Sequence, residues 1–128
     1  MRLSINSIEG VEYLYIQTCA ATGRVRLSDI IYVTQDAHSI DIMYRRPADG
    51  DGGTRVFRAR GTVNDTAELL CSRSDDFYKC HSYLMANFTH IDTVDRKCVM
   101  FDDGSSVSMG ENLLRETRKA FNAYISKK

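Results

Sequence analysis

Two stretches, SIDIMY (39–44) and TRVFRAR (54–60), alternate apolar and polar residues with a period of two. That period sends successive side chains to opposite faces, so each reads as a strand with one wet face. Between them lies RRPADGDGG, a run of turn formers that predicts the tip of an extended hairpin. Other β-rich runs are VEYLYIQT (11–18), GRVRLS (23–28), DIIYVTQ (29–35), HIDTVD (90–95), KCVMFDD (97–103) and SSVSM (105–109). Asp103-Gly104 predicts a two-residue type I′ hairpin, which needs positive φ at both central positions.

Two helices interrupt the strands. TVNDTAELLCSR (62–73) starts with Thr62 and Asp65 at capping-box spacing and carries Val63, Ala67, Leu70 and Cys71 at helical intervals. In the second, Ser108 and Glu111 form an S-x-x-E cap, followed by Leu114, Phe121 and Ile125 on one stripe with Arg115, Arg118 and Lys119 outside it. The order of strands, helix, strands and closing helix excludes a regular βαβ sheet. It predicts a mainly β, antiparallel domain with helices at its edges. The division expected is a lead-in over residues 1–10 and one domain over 11–128, within the size that a single core supports.

Seventeen basic and seventeen acidic residues cancel. Residues 1–78 hold 9 Lys/Arg against 11 Asp/Glu (9 − 11 = −2), and residues 79–128 hold 8 against 6 (8 − 6 = +2). A phosphate-binding face must therefore come from local clustering, more readily in the C-terminal part. No run approaches the roughly 18 apolar residues of a membrane span, and no signal peptide is visible, so a soluble cytoplasmic protein is expected. Cys19, Cys71, Cys80 and Cys98 are far apart and form no C-x-x-C pair, which predicts buried thiols rather than a disulfide framework.

The densest chemistry lies in FYKCHSYLMANFTHID (77–92). On a strand the adjacent Cys80 and His81 point to opposite faces and hardly share a metal ion. The same alternation separates Cys80 from Lys79 and His81, the groups that could activate its thiol. No nucleophile elbow, zincin motif, phosphate loop or dinucleotide fingerprint occurs, so neither an enzyme nor a cofactor is expected. An exposed stripe remains, with Lys79 and His81 on one face, Tyr78 and Cys80 inward, and Ser82 and Tyr83 at the following turn. Groups of these kinds at a strand end can reach phosphates and base edges. Standing alone, His38 reads as a surface loop residue, His90 as packed at a strand start, and Asn87 as serving turn backbone. Arg45, Arg46, Arg55, Arg58 and Arg60 read as a solvated face balanced by Asp41, Asp49 and Asp51.

The string FYKCHSYLMANFTHID resembles the core motif of the LytTR-type DNA-binding domain, found in the LytR/AlgR family of bacterial response regulators. LSDIIYV (27–33) resembles that family's L-x-D-I-x-Y-I/V strand, GTVNDTAELL its first helix, and VMFDDGSSVSMGENLLRETRKAF (99–121) its closing hairpin and final helix. The resemblance covers roughly residues 11–125, with the motifs in order. It implies an elongated stack of small antiparallel sheets with a C-terminal helix, which reads double-stranded DNA through loops set in successive major grooves. Carried over position by position, it makes His38, Ser82 and the Met109-Gly110 pair the base-reading candidates. Arg96 and Lys97 become phosphate contacts, with Lys79, His81 and Tyr83 as additions.

The chain departs from the pattern where many members have Arg or Asn at the place of Ser82 and Arg within the pair Met109-Gly110. A bidentate Arg–guanine or Asn–adenine contact contributes about 1–3 kcal/mol of discrimination. Asn112 and Arg115, further into the helix, are the residues placed to substitute. Weaker or differently specified DNA binding is the expectation, as is a homodimer on repeated half-sites. The rival reading is an interaction module of the same fold that has lost DNA reading; acids among Lys79, His81, Arg96 and Lys97 would favour it. The resemblance also implies a receiver or membrane segment ahead of such a domain. Met1 stands so close to it that the chain reads either as a free-standing regulator or as an excised piece.

Overall fold

The computed structural model describes residues 1–46 and 53–127. Most of the expected hairpin tip, including Asp49 and Asp51, lies outside the described residues. The chain opens with β1 (Arg2–Ile8), β2 (Val11–Gln17) and β3 (Thr22–Arg26), then passes through a single 3-10 turn at Leu27–Asp29. There follow β4 (Ile30–Asp36), β5 (Ser39–Arg45), β6 (Thr54–Arg60), α1 (Val63–Arg73), β7 (Phe77–His81) and β8 (Leu84–Asn87). Then come β9 (Ile91–Val94), β10 (Cys98–Phe101), β11 (Ser106–Ser108) and α2 (Glu111–Ser126).

Three antiparallel sheets result: β1-β2-β3, the central β6-β5-β4-β8-β7, and β11-β10-β9. The central sheet has a core on each face. On one side Leu14, Ile16 and Val25 of the first sheet and Val63, Ala67 and Leu70 of α1 close over Val33, Ile40, Ile42, Phe77 and Met85. On the other, Val99 and Phe101 of the third sheet and Leu114 of α2 close over Tyr32, Cys80, Leu84 and Ala86. A register shift in β4 between Ile30 and Tyr32 serves both cores. The extra residue lets Ile31 and Tyr32 both face the second core while Ile30 and Val33 face the first.

Several expectations change on folding. Residues 1–10, read as a lead-in, hold β1, which pairs with β2 along its whole length. Its turn is Glu9-Gly10, with φ of 51° and 82°, and this is where the two positive-φ residues of a type I′ hairpin occur. At Asp103-Gly104 only Gly104 is positive (φ 89°), and the loop is longer, closed by Phe101 N–H donating to Ser105 O at 2.9 Å. Helix α1 is capped as read, with Thr62 Oγ1 accepting from Asp65 N. Helix α2 is not, for Ser108 is held in the ladder opposite Cys98 and the N-cap is Gly110, without a side-chain bond. The buried stripe of α2 runs Leu114, Thr117, Phe121, Tyr124, and Ile125 is 53% exposed. Of the four thiols only Cys80 is buried; Cys19 and Cys71 are exposed and Cys98 is half-buried, all of them free.

Candidate nucleic-acid interface

The β4–β5 turn carries His38, exposed at its tip, with Ala37 in the left-handed region at φ 54°. An L residue held there costs about 1–2 kcal/mol, so the turn needs bracing. Gln35 supplies it: its Nε2 donates to Ala37 O at 2.9 Å and its Oε1 accepts from Val63 N, the first residue of α1, at 2.7 Å. His38 O accepts from Gly61 N at 2.8 Å. The imidazole is left facing solvent on a fixed backbone.

The β7–β8 turn lies beside it, because β4 and β8 are paired with Thr34 opposite Leu84. Gln35 N donates to Tyr83 O at 3.1 Å and ties the two turns together. Within the second turn His81 Nδ1 accepts from Tyr83 N at 3.0 Å. The neutral ring therefore carries its proton on Nε2, a donor turned away from the turn. Ser82 is exposed between the two rings, and Tyr83 is 54% exposed.

Helix α2 brings in the third element. Thr117 lies against Cys80, Phe121 and Tyr124 pack on Phe88, and Tyr124 Oη donates to Asp76 at 2.8 Å. Successive turns of α2 thus meet β7 in reverse order, and its N-terminus points past His81 towards the Ser82 turn. Gly110, Asn112 and Arg115 are exposed there. Met109 is not, since its side chain packs against the second core and offers no polar atom to a base edge. Arg96 and Lys97 crown the β9–β10 turn, whose shape Asp95 sets by accepting from Lys97 N (2.7 Å) and Cys98 N (2.9 Å). Those two bonds hold the Asp95 carboxyl below its ordinary value. Arg96 shares a groove with Asp95, Glu111, Leu114, Arg115 and Arg118.

The fold thus brings together His38, His81, Ser82 and Tyr83 on two linked turns, and the start of α2 with Arg96 along one groove. Lys79 is held apart: its Nζ donates to Asn64 on α1 at 2.9 Å. Gln35 and Asp95, which fix the backbone of two of these turns, were not singled out in the sequence. Asp95 had a readable signal, an Asp two and three residues before the N–H groups of a tight turn. Gln35 had none.

No family profile and no curated protein sequence matches the chain. Among solved structures it is similar to the LytTr DNA-binding domain of a Bacillus cereus protein named as a methyl-accepting/DNA response regulator. The TM-score is 0.61 at 17% identity, over 84% of this chain and 94% of that one. The chain has the LytTr fold. In the similar protein that fold is a DNA-binding domain. Burial pushes the Cys80 thiol up to about 11, with the Thr117 hydroxyl and the Ala86 backbone pulling the other way, so this thiol is a poor nucleophile inside the LytTr core. Among the described residues no helix is long and apolar enough to cross a membrane, and no three His, Cys, Asp or Glu side chains gather as metal ligands.

Proposed function

We propose that this domain binds double-stranded DNA with sequence preference and serves a cytoplasmic bacterial transcription regulator of the response-regulator kind. What supports the proposal is the bond that links the His38 turn to the Ser82 turn, from Gln35 N to Tyr83 O, in a chain with the LytTr fold. Ser82 Oγ, His81 Nε2–H and the His38 ring are the base-edge groups, with Asn112 beside them on α2 in place of Met109. Serine donates to or accepts from almost any base, so discrimination per position is low. The first turn of α2, free of a side-chain cap, offers backbone N–H groups to phosphate, and Arg96 and Arg115 add cations along the groove, with Lys97 next to Arg96 on the β9–β10 turn. Two copies on repeated half-sites complete the reading.

The test is selection of bound duplexes from a random library at two salt concentrations, beside an Arg96→Ala/Lys97→Ala variant. Enrichment of a repeated motif, weakened by salt and by the variant, is expected. Failure to bind even at low salt would remove the proposal. One observation favours a second reading: Asp95 and Glu111 stand in the same groove as the arginines. An interaction module that pairs with a protein partner explains those acids, and it predicts no enrichment in the same selection.

A further inference from the structure

At the opposite end of the central sheet from the reading turns is a cleft of about 450 Å³. His38 and Tyr44 stand six residues apart along β5, about 20 Å at the rise of a strand. The walls are Tyr13, Arg24 and Arg26 from β2 and β3, Asp29 from the 3-10 turn, and Tyr44 and Arg46 at the end of β5. The Arg24 guanidinium lies 4.3 Å from the centre of the Tyr13 ring and that of Arg26 5.9 Å from the same ring, while Arg46 lies 5.9 Å from the Tyr44 ring. Stacking on an aromatic face fixes a guanidinium plane; Arg24 also donates to the Tyr15 hydroxyl, and the remaining edge N–H groups of the three arginines suit a planar or tetrahedral oxyanion.

Among the described residues none of the three arginines is in ion-pair range of a carboxylate. Among the described residues Asp29 is the single acid in the walls, where it interacts with Arg26 and Arg46, so the formal charge of these walls is 3 − 1 = +2. Gathered like charges repel, and a dianion relieves that repulsion. A phosphate monoester carries about −1.5 to −2 at neutral pH and suits the sum. We infer that this cleft binds the phosphate group of a small phosphorylated molecule, at a site separate from the proposed DNA-reading end. Such a site makes the domain responsive to a metabolite whether or not it binds DNA.

The experiment is a two-dimensional NMR titration of the full chain with inorganic phosphate and with a sugar phosphate. Saturable shifts confined to the amides of Tyr13, Arg24, Arg26, Tyr44 and Arg46 are expected. Tighter binding of the sugar phosphate identifies an organic ligand, and equal binding identifies free phosphate; both support the site. In Arg24→Ala/Arg46→Ala the affinity falls roughly tenfold or more, since the charge-assisted bonds of both guanidinium groups to the anion are lost. Both side chains are exposed, so the variant's spectrum stays dispersed. Absence of saturation at millimolar phosphate, or shifts spread over all basic residues, would overturn the inference. So would a loss of duplex binding in this variant as large as that in Arg96→Ala/Lys97→Ala, which would make the cleft part of a DNA footprint.

Discussion

Asn87 offers the sharpest test of how the 77–92 segment divides between folding and function. Its side chain is 1% exposed at the end of β8, the end away from the Ser82 turn. Nδ2 donates to Ile30 O at 2.8 Å, and Oδ1 accepts from Thr89 N at 3.0 Å and Thr89 Oγ1 at 2.7 Å. These bonds pin the entrance of β4 to the turn between β8 and β9. Asn87→Ala removes all three and strands a buried carbonyl; at about 1 kcal/mol per net bond the loss is about 3 kcal/mol. With an unfolding entropy of about 2.1 cal/mol/K per residue, the melting temperature falls by roughly 11 °C. Asn87→Asp keeps the Thr89 bonds but sets a carboxylate oxygen against Ile30 O, so at neutral pH it is destabilised at least as much. The assay is thermal and urea unfolding of the three proteins, followed by duplex binding well below the lowest transition. A stability loss under about 1 kcal/mol would refute the bond accounting. A drop in duplex affinity in a folded Asn87→Ala protein would refute the assignment of Asn87 to the scaffold.

Three further changes probe the layers separately. His90→Ala removes the bonds from Nδ1 to Asp102 and from Nε2 to Ser28 O, which link the third sheet to the 3-10 turn; urea unfolding should show a loss of about 1–2 kcal/mol. The Cys80 thiol, raised from 9.0 to about 11 in the fold, gives a stability contribution that is full below pH 9 and is lost as pH rises through 11. Unfolding free energy should drop by about 2–3 kcal/mol more across that window in the parent than in Cys80→Ala, which has no thiol to ionise. Gly104→Ala meets no atom within 4 Å but must hold φ 89°, so its melting curve should report a loss of about 1 kcal/mol.

The strands that alternate cleanly were legible, because one wet face and one dry face is a local statement. β1 was missed because its alternation is short: Leu3 and Ile5 lie on one face, only half-buried against the first core, and the pattern breaks at Ser7. The start of α2 was misread for the opposite reason. Ser108 has the local chemistry of an N-cap, but pairing with Cys98 claims its backbone for a strand, and the ladder outweighs the cap. Ile125 fits the stripe by spacing but lies beyond the part of α2 that the second core covers. At the candidate site, spacing could expose Ser82 and His81 at a strand end, but not bring His38 to them. That juxtaposition depends on the register of β4 against β8, which links residues remote in sequence and leaves no periodic trace.

The same geometry explains how the linked turns can change their exposed side chains without losing their shape. The His38 turn is held by Gln35, the β9–β10 turn by Asp95, and the β7–β8 turn by the His81 ring and the Gln35–Tyr83 bond. Of the candidate base-edge side chains only that of His81 takes part in this bracing, so Ser82, His38 and Asn112 can change while the turns stay in place. The similar LytTr domain shares 17% of its residues and keeps the fold over most of both chains. Braced turns with free tips are the arrangement expected where side chains at the tips change and the scaffold does not. On this argument Ser82→Arg is tolerated by the fold and adds a guanine-directed contact at an exposed tip. The selected duplex motif, rather than the unfolding curve, is where that substitution should register.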